Sequence, residues 1–123
     1  MQTLSVVVAS NNPRAASQLV ASLNPHFHVV SVARSLDEVR RAIPKHRAQL
    51  AIVDLELASV QDVKRLVQDF KGTCVVCTHR IPDEEMWASV LAAGAIDCCP
   101  SDDAASILQT VTRNMSVAQT TAA

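Results

Sequence analysis

Apolar residues along this chain come in blocks rather than singly. Strand-forming runs begin near Leu4, Phe27, Gln49, Thr73 and Ala95, roughly every 22 to 24 residues, and a stretch with helical apolar spacing follows each one. The pattern predicts five βα units. Val6-Val7-Val8 and Leu50-Ala51-Ile52-Val53 are apolar without a period of two, so both faces of these strands are covered, as in a parallel sheet flanked by helices. The helices carry start signals: Pro13 after an Asn pair, Ser35 with Glu38 as a capping box, Ser59 with Asp62 three residues on, and Asp102 before the last helix. Gly94 stands where the fourth helix should stop. The expected architecture is one doubly wound, three-layer α/β domain over residues 1–123, with no linker or second domain and a frayed tail over about 117–123.

Size and charge narrow the function classes. A chain of 123 residues buries roughly two thirds of the surface its unfolded form exposes, so it folds without staples. A net charge of −1, from 11 basic and 12 acidic residues with no basic stripe interleaved with aromatics, argues against direct nucleic-acid binding. The N-terminus lacks the pattern of a signal peptide, and the apolar runs fall far short of the ~20 residues of a membrane span. No membrane association is expected, and the protein is placed in the cytoplasm.

The four cysteines suit a reducing compartment, where close spacing raises metal or redox chemistry instead of disulfides. Geometry argues against both. Cys74 and Cys77 bracket two valines inside a strand, where residues three apart face opposite ways, and the adjacent Cys98 and Cys99 do the same. They are expected to be small core residues. A redox link between Cys77 and Cys98, on neighbouring strands, is the one thiol chemistry left to test.

In open α/β sheets ligands bind outside the carboxyl ends of the strands. The residues that close the strands are Ser10, Asn11 and Asn12, then Asp54, then Thr78 and His79, then Pro100 and Ser101. One carboxylate faces one hydroxyl across this set. The plain alternatives are that Asp54 caps a turn, that Thr78 ends a strand, and that Glu56 and His79 are solvated surface groups.

These residues resemble the receiver domain of bacterial two-component response regulators. "LAIVDLEL" puts Asp54 at the family's phosphoacceptor position, "VVCTHR" puts Thr78 at its hydroxyl position, and "AAGAIDCCPSD" is similar to its Gly-Ala-x-x-Tyr-x-x-Lys segment. The resemblance implies a flavodoxin-like (βα)5 fold with strand order 2-1-3-4-5, and phosphorelay signalling rather than enzymology. Self-phosphotransfer and autodephosphorylation on Asp54 are the most catalysis it implies.

The departures cluster at the chemistry. The family's acidic pair, which holds Mg²⁺, reads Ser10 and Asn11 here; its lysine falls at Ser101; its switch aromatic falls at Cys98. Ala58 and Asp62 stand where the family has Pro and Gly after the phosphoacceptor. Mg²⁺ relies on one or two carboxylates plus phosphate oxygens, so Asp54, Glu56, Asn11 and Ser10 are expected to form a weak Mg²⁺ site or none. Glu56 points to the side of Asp54 only if the strand persists past Asp54. Arg80, just past Thr78, is the candidate substitute for the lysine.

Two functions follow as expectations. One is a stand-alone receiver that accepts a phosphoryl group on Asp54 from a histidine kinase or phosphotransfer protein and passes the signal to a downstream protein. The other is a phosphorylation-independent pseudo-receiver, a protein-binding or dimerisation module. Both need an interface, and the expected one is the helix-4, strand-5, helix-5 face with Trp87, Met86, Val90 and Cys98.

Overall fold

The structure is a computed structural model that describes residues 4–122, with side chains described through Asn114. Five parallel strands, β1 (Ser5–Ala9), β2 (Val29–Ala33), β3 (Leu50–Asp54), β4 (Cys74–His79) and β5 (Asp97–Pro100), form one sheet of order 2-1-3-4-5. Between and after them run α1 (Pro13–Leu23), α2 (Leu36–His46), α3 (Val60–Asp69), α4 (Glu84–Ala92) and α5 (Ala104–Ala122), with a single 3-10 turn at Asn24–His26. This is the flavodoxin-like receiver architecture that the five-unit rhythm and the resemblance implied. The expected fraying of 117–123 falls where side chains, and Ala123 altogether, lie outside the described residues.

The uninterrupted apolar strands have the predicted cause. Val6, Val8, Leu50, Ile52 and Val76 point to one face, where Leu19 and Leu23 of α1 and Ile107 and Val111 of α5 cover them. Val7, Ala51, Val53 and Val75 point to the other, under Val39 and Ile43 of α2, Val63 and Leu66 of α3 and Val90 of α4. Two dry layers on one sheet bury apolar surface at about 25 cal/mol per Å², which dominates the stability of the domain.

Local signals set the helix boundaries. Asn12 caps α1, its Oδ1 accepting from the N–H groups of Arg14 and Ala15 at 3.1 and 3.2 Å. Ser59 and Asp62 close a complete capping box on α3. The predicted box on α2 is half made: Ser35 Oγ accepts from Glu38 N–H, but Glu38 reaches past the cap to Arg34 N–H at 2.8 Å. The last helix is capped by Asp103, one residue after the expected Asp102; its carboxylate accepts from the Ser106 N–H and hydroxyl. Two successive aspartates made that register ambiguous in sequence. Gly94 ends α4 with φ +108°, a backbone state that favours glycine.

Candidate functional site

The carboxyl ends of β1, β3, β4 and β5 deliver Ser10, Asp54, Thr78 and Ser101 to one cavity, whose floor is Val8 and Ile52 and whose wall is Ala15, Ala16 and Leu19 of α1. Its volume is about 10 Å³, room for a single water. Asp54 and Thr78 are register partners on adjacent strands, and each is about 5% exposed or less. Thr78 O also accepts from Leu55 N–H at 2.8 Å, tying the two strand ends together.

Asp54 is the buried carboxylate of this end of the sheet. Its Oδ1 accepts from Glu56 N–H at 2.8 Å, and its carbonyl accepts from Leu57 and Ala58 N–H. Burial pushes the carboxyl above the ordinary value of 3.8; the Glu56 N–H bond opposes this, the Glu56 charge adds to it, and the His79 and Arg80 charges oppose it. The bonds to the Asp54 carbonyl turn the chain at once, so β3 does not persist to Glu56.

That turn corrects the expectation for Glu56. Its side chain leaves the cavity and pairs with Arg80, Glu56 Oε2 lying 3.1 Å from Arg80 Nη2. Arg80 and Ser101 line a second, open groove of about 390 Å³ with Arg14, Ile81 and Asp102. Ala15 and Ser101 line both the groove and the cavity.

The neutral loop Ser10-Asn11-Asn12-Pro13 is occupied with building itself. Ser10 Oγ accepts from Asn12 N–H at 3.2 Å, Ser10 N–H donates to Ala33 O, and Asn12 spends its side chain on the α1 cap. Asn11 is exposed and lies along a separate groove between α1 and β2 rather than in the cavity. Of the four residues named for Mg²⁺, the structure therefore gathers Asp54 and Ser10 only. Among the described residues no group of three or more His, Cys, Asp or Glu is placed to hold a metal ion. One carboxylate and one engaged hydroxyl do not fit a resident Mg²⁺.

The expected interface divides. Trp87 is 47% exposed, and Met86 is half-buried against the core. Val90 and Cys98 are corrections: both are buried in the α2, α3, α4 layer and offer no surface. Sequence reasoning missed Asp97. Its Oδ1 accepts from Trp87 Nε1 at 3.0 Å and its Oδ2 from Thr110 Oγ1 at 3.0 Å, so one carboxylate on the edge strand joins α4 to α5. A lone acid inside the short apolar run Ala95 to Cys99 was the available signal.

Cys77, Cys98 and Cys99 are buried as small core residues, while Cys74 is only partly buried against the α1, α5 layer. Cys77 and Cys98 are register partners, and all four thiols are free. Burial is the main force that pushes the Cys77 thiol up to about 12 and the Cys98 thiol up to about 11. The thiolate that redox chemistry requires is scarce at neutral pH.

No family model matches the chain, and no curated protein matches it. Solved structures do. The signal receiver domain of a DNA-binding response regulator (merR) from Colwellia psychrerythraea 34H superposes with a TM-score of 0.70 at 14% identity, over 77% of this chain and 83% of that one. CheY from Borrelia burgdorferi, solved with CheX, BeF3 and Mg²⁺, gives 0.80 at 16% identity, over 91% and 89%. A response regulator from Burkholderia pseudomallei with a phosphorylated aspartic acid and a calcium ion gives 0.78 at 18% identity, over 98% and 73%. The chain has the fold of response-regulator receiver domains.

Proposed function

We propose that this protein is a receiver-type signalling module of a phosphorelay, with Asp54 as its phosphoacceptor and protein contacts as its output. The observation that carries the proposal is the convergence of Asp54, Thr78, Ser10 and Ser101 on one cavity at the end of the sheet where such folds bind ligands. In the step proposed, an Asp54 oxygen attacks the phosphorus of a phosphohistidine on a kinase or phosphotransfer protein. The P–N bond breaks, the imidazole leaves with its electron pair, and an acyl phosphate remains on Asp54. Thr78, the register partner of Asp54 on the adjacent strand, supplies a hydroxyl to a phosphate oxygen. Mg²⁺, which the B. burgdorferi structure holds, has a poor donor set here, so any metal dependence should be weak. The reading puts the protein in the cytoplasm, in keeping with its free thiols.

Catalysis beyond this self-modification is not part of the proposal. The output surface proposed is the α4, β5, α5 face around Trp87, for a downstream protein or a second copy of the chain.

A second reading, a phosphorylation-independent binding module, draws on the self-satisfied Ser10 to Pro13 loop and on a cavity no larger than one water. One experiment separates them. The protein is incubated with phosphoramidate and its intact mass recorded, with Asp54→Asn as control. A gain of one phosphoryl group that the control lacks supports the first reading; an unchanged mass together with partner binding that Asp54→Asn leaves intact supports the second.

A further inference from the structure

We propose that Arg80 supplies the positive charge that a phosphoryl group on Asp54 requires, in place of an ammonium group at Ser101 and of a metal held by acids at Ser10 and Asn11. This inference rests on the phosphoacceptor reading above. Three observations carry it. Thr78 lines the cavity, and Arg80, two residues later, lines the groove that shares Ala15 and Ser101 with it. Arg80 is held by one 3.1 Å contact to Glu56, with its side chain 74% exposed. Glu56 in turn is anchored by its N–H to the Asp54 carboxylate at 2.8 Å, so acid, base and phosphoacceptor form one connected unit.

Magnitudes decide which partner Arg80 takes. An exposed pair such as Arg80 with Glu56 is worth at most about fivefold in an equilibrium constant. A charge-assisted guanidinium–phosphate bond in a partly buried site is worth about ten- to a hundredfold. Phosphorylation also raises the charge at Asp54 from −1 to about −2, which repels Glu56 and attracts Arg80. Arg80 therefore changes partners when Asp54 is modified, and Glu56 is released to solvent. In the resting protein the same pair keeps the guanidinium neutralised and out of the cavity.

The test uses beryllofluoride as the phosphoryl mimic and follows amide and arginine Nε–H resonances, once in EDTA and once in millimolar Mg²⁺. Wild type is expected to bind saturably, with the Arg80 Nε–H resonance shifting alongside Asp54 and Thr78, and Asp54→Asn not at all. Arg80→Ala should weaken binding about ten- to a hundredfold, Ser101→Lys in that background should restore it, and Glu56→Gln should bind at least as tightly as wild type. If Arg80→Ala binds like wild type, the inference fails and the phosphoacceptor reading stands. If wild type binds in neither buffer, both fail. If binding needs Mg²⁺ and ignores Arg80, a metal carries the charge and the inference is overturned.

Discussion

Asp54 and Thr78 stand side by side at the carboxyl ends of β3 and β4, paired in register and largely buried in a cavity walled by α1. Burial raises the pKa of the Asp54 carboxyl above its ordinary value, and this gives the site a stability cost with a defined pH dependence. The folded-state pKa lies above the unfolded one. The group's contribution is therefore most favourable below the unfolded value, near 3.8, and is lost as pH rises through the folded value.

Asp54→Asn keeps an acceptor for the Glu56 N–H while removing the charge. It is expected to raise Tm by about 2–5 °C at pH 7. The difference should shrink as pH falls into the carboxylate range, which thermal melts of both proteins between pH 3 and pH 7 would show. A lower Tm at neutral pH would mean that the charge is stabilised by groups other than those described.

Gly94 is tested by adding one methyl group. At φ +108° an alanine is strained, and its Cβ would lie 2.7 Å from Val67 Cγ1. Gly94→Ala should cost about 2–3 kcal/mol, combining backbone strain with overpacking. Urea unfolding should show a lower midpoint with an unchanged slope.

Cys77 and Cys98 should be inert in the folded protein. With Cys77 raised from an ordinary 9.0 to about 12, its thiolate is about a thousandfold scarcer at neutral pH. A thiol reagent should leave Cys77 and Cys98 unmodified in the native state and titrate all four cysteines in denaturant. Treatment with peroxide should not remove two hydrogens from the intact mass; if it does, the register pair Cys77 and Cys98 is a redox site after all.

Asp97 offers an optical readout, because Trp87 is the single tryptophan. Removing the acceptor leaves Trp87 Nε1 and Thr110 Oγ1 without their bonds. Asp97→Ala should cost about 1–3 kcal/mol and shift Trp emission, while Asp97→Asn, which keeps an acceptor, should do less. Unchanged emission in Asp97→Ala would show that the indole is not held to β5 in solution.

Much of this protein was determined by sequence alone. Apolar runs of strand length repeat between helical stretches, and that period suffices to place five strands and five helices, because covering both faces of a parallel sheet demands it. The strand ends followed, and with them Asp54, Thr78, Ser10 and Ser101, since side chains at those positions must share one edge of the sheet. Tertiary structure decided what each of them faces. Glu56 turns away because the chain bends at the Asp54 carbonyl, Asn11 falls outside the cavity, and Val90 and Cys98 sink into the core. The Glu56–Arg80 pair and the Asp97 bridge join residues 24 and 13 or fewer positions apart across different elements. Periodicity fixes which face a residue occupies; only packing in three dimensions sets which charge from another loop it meets there.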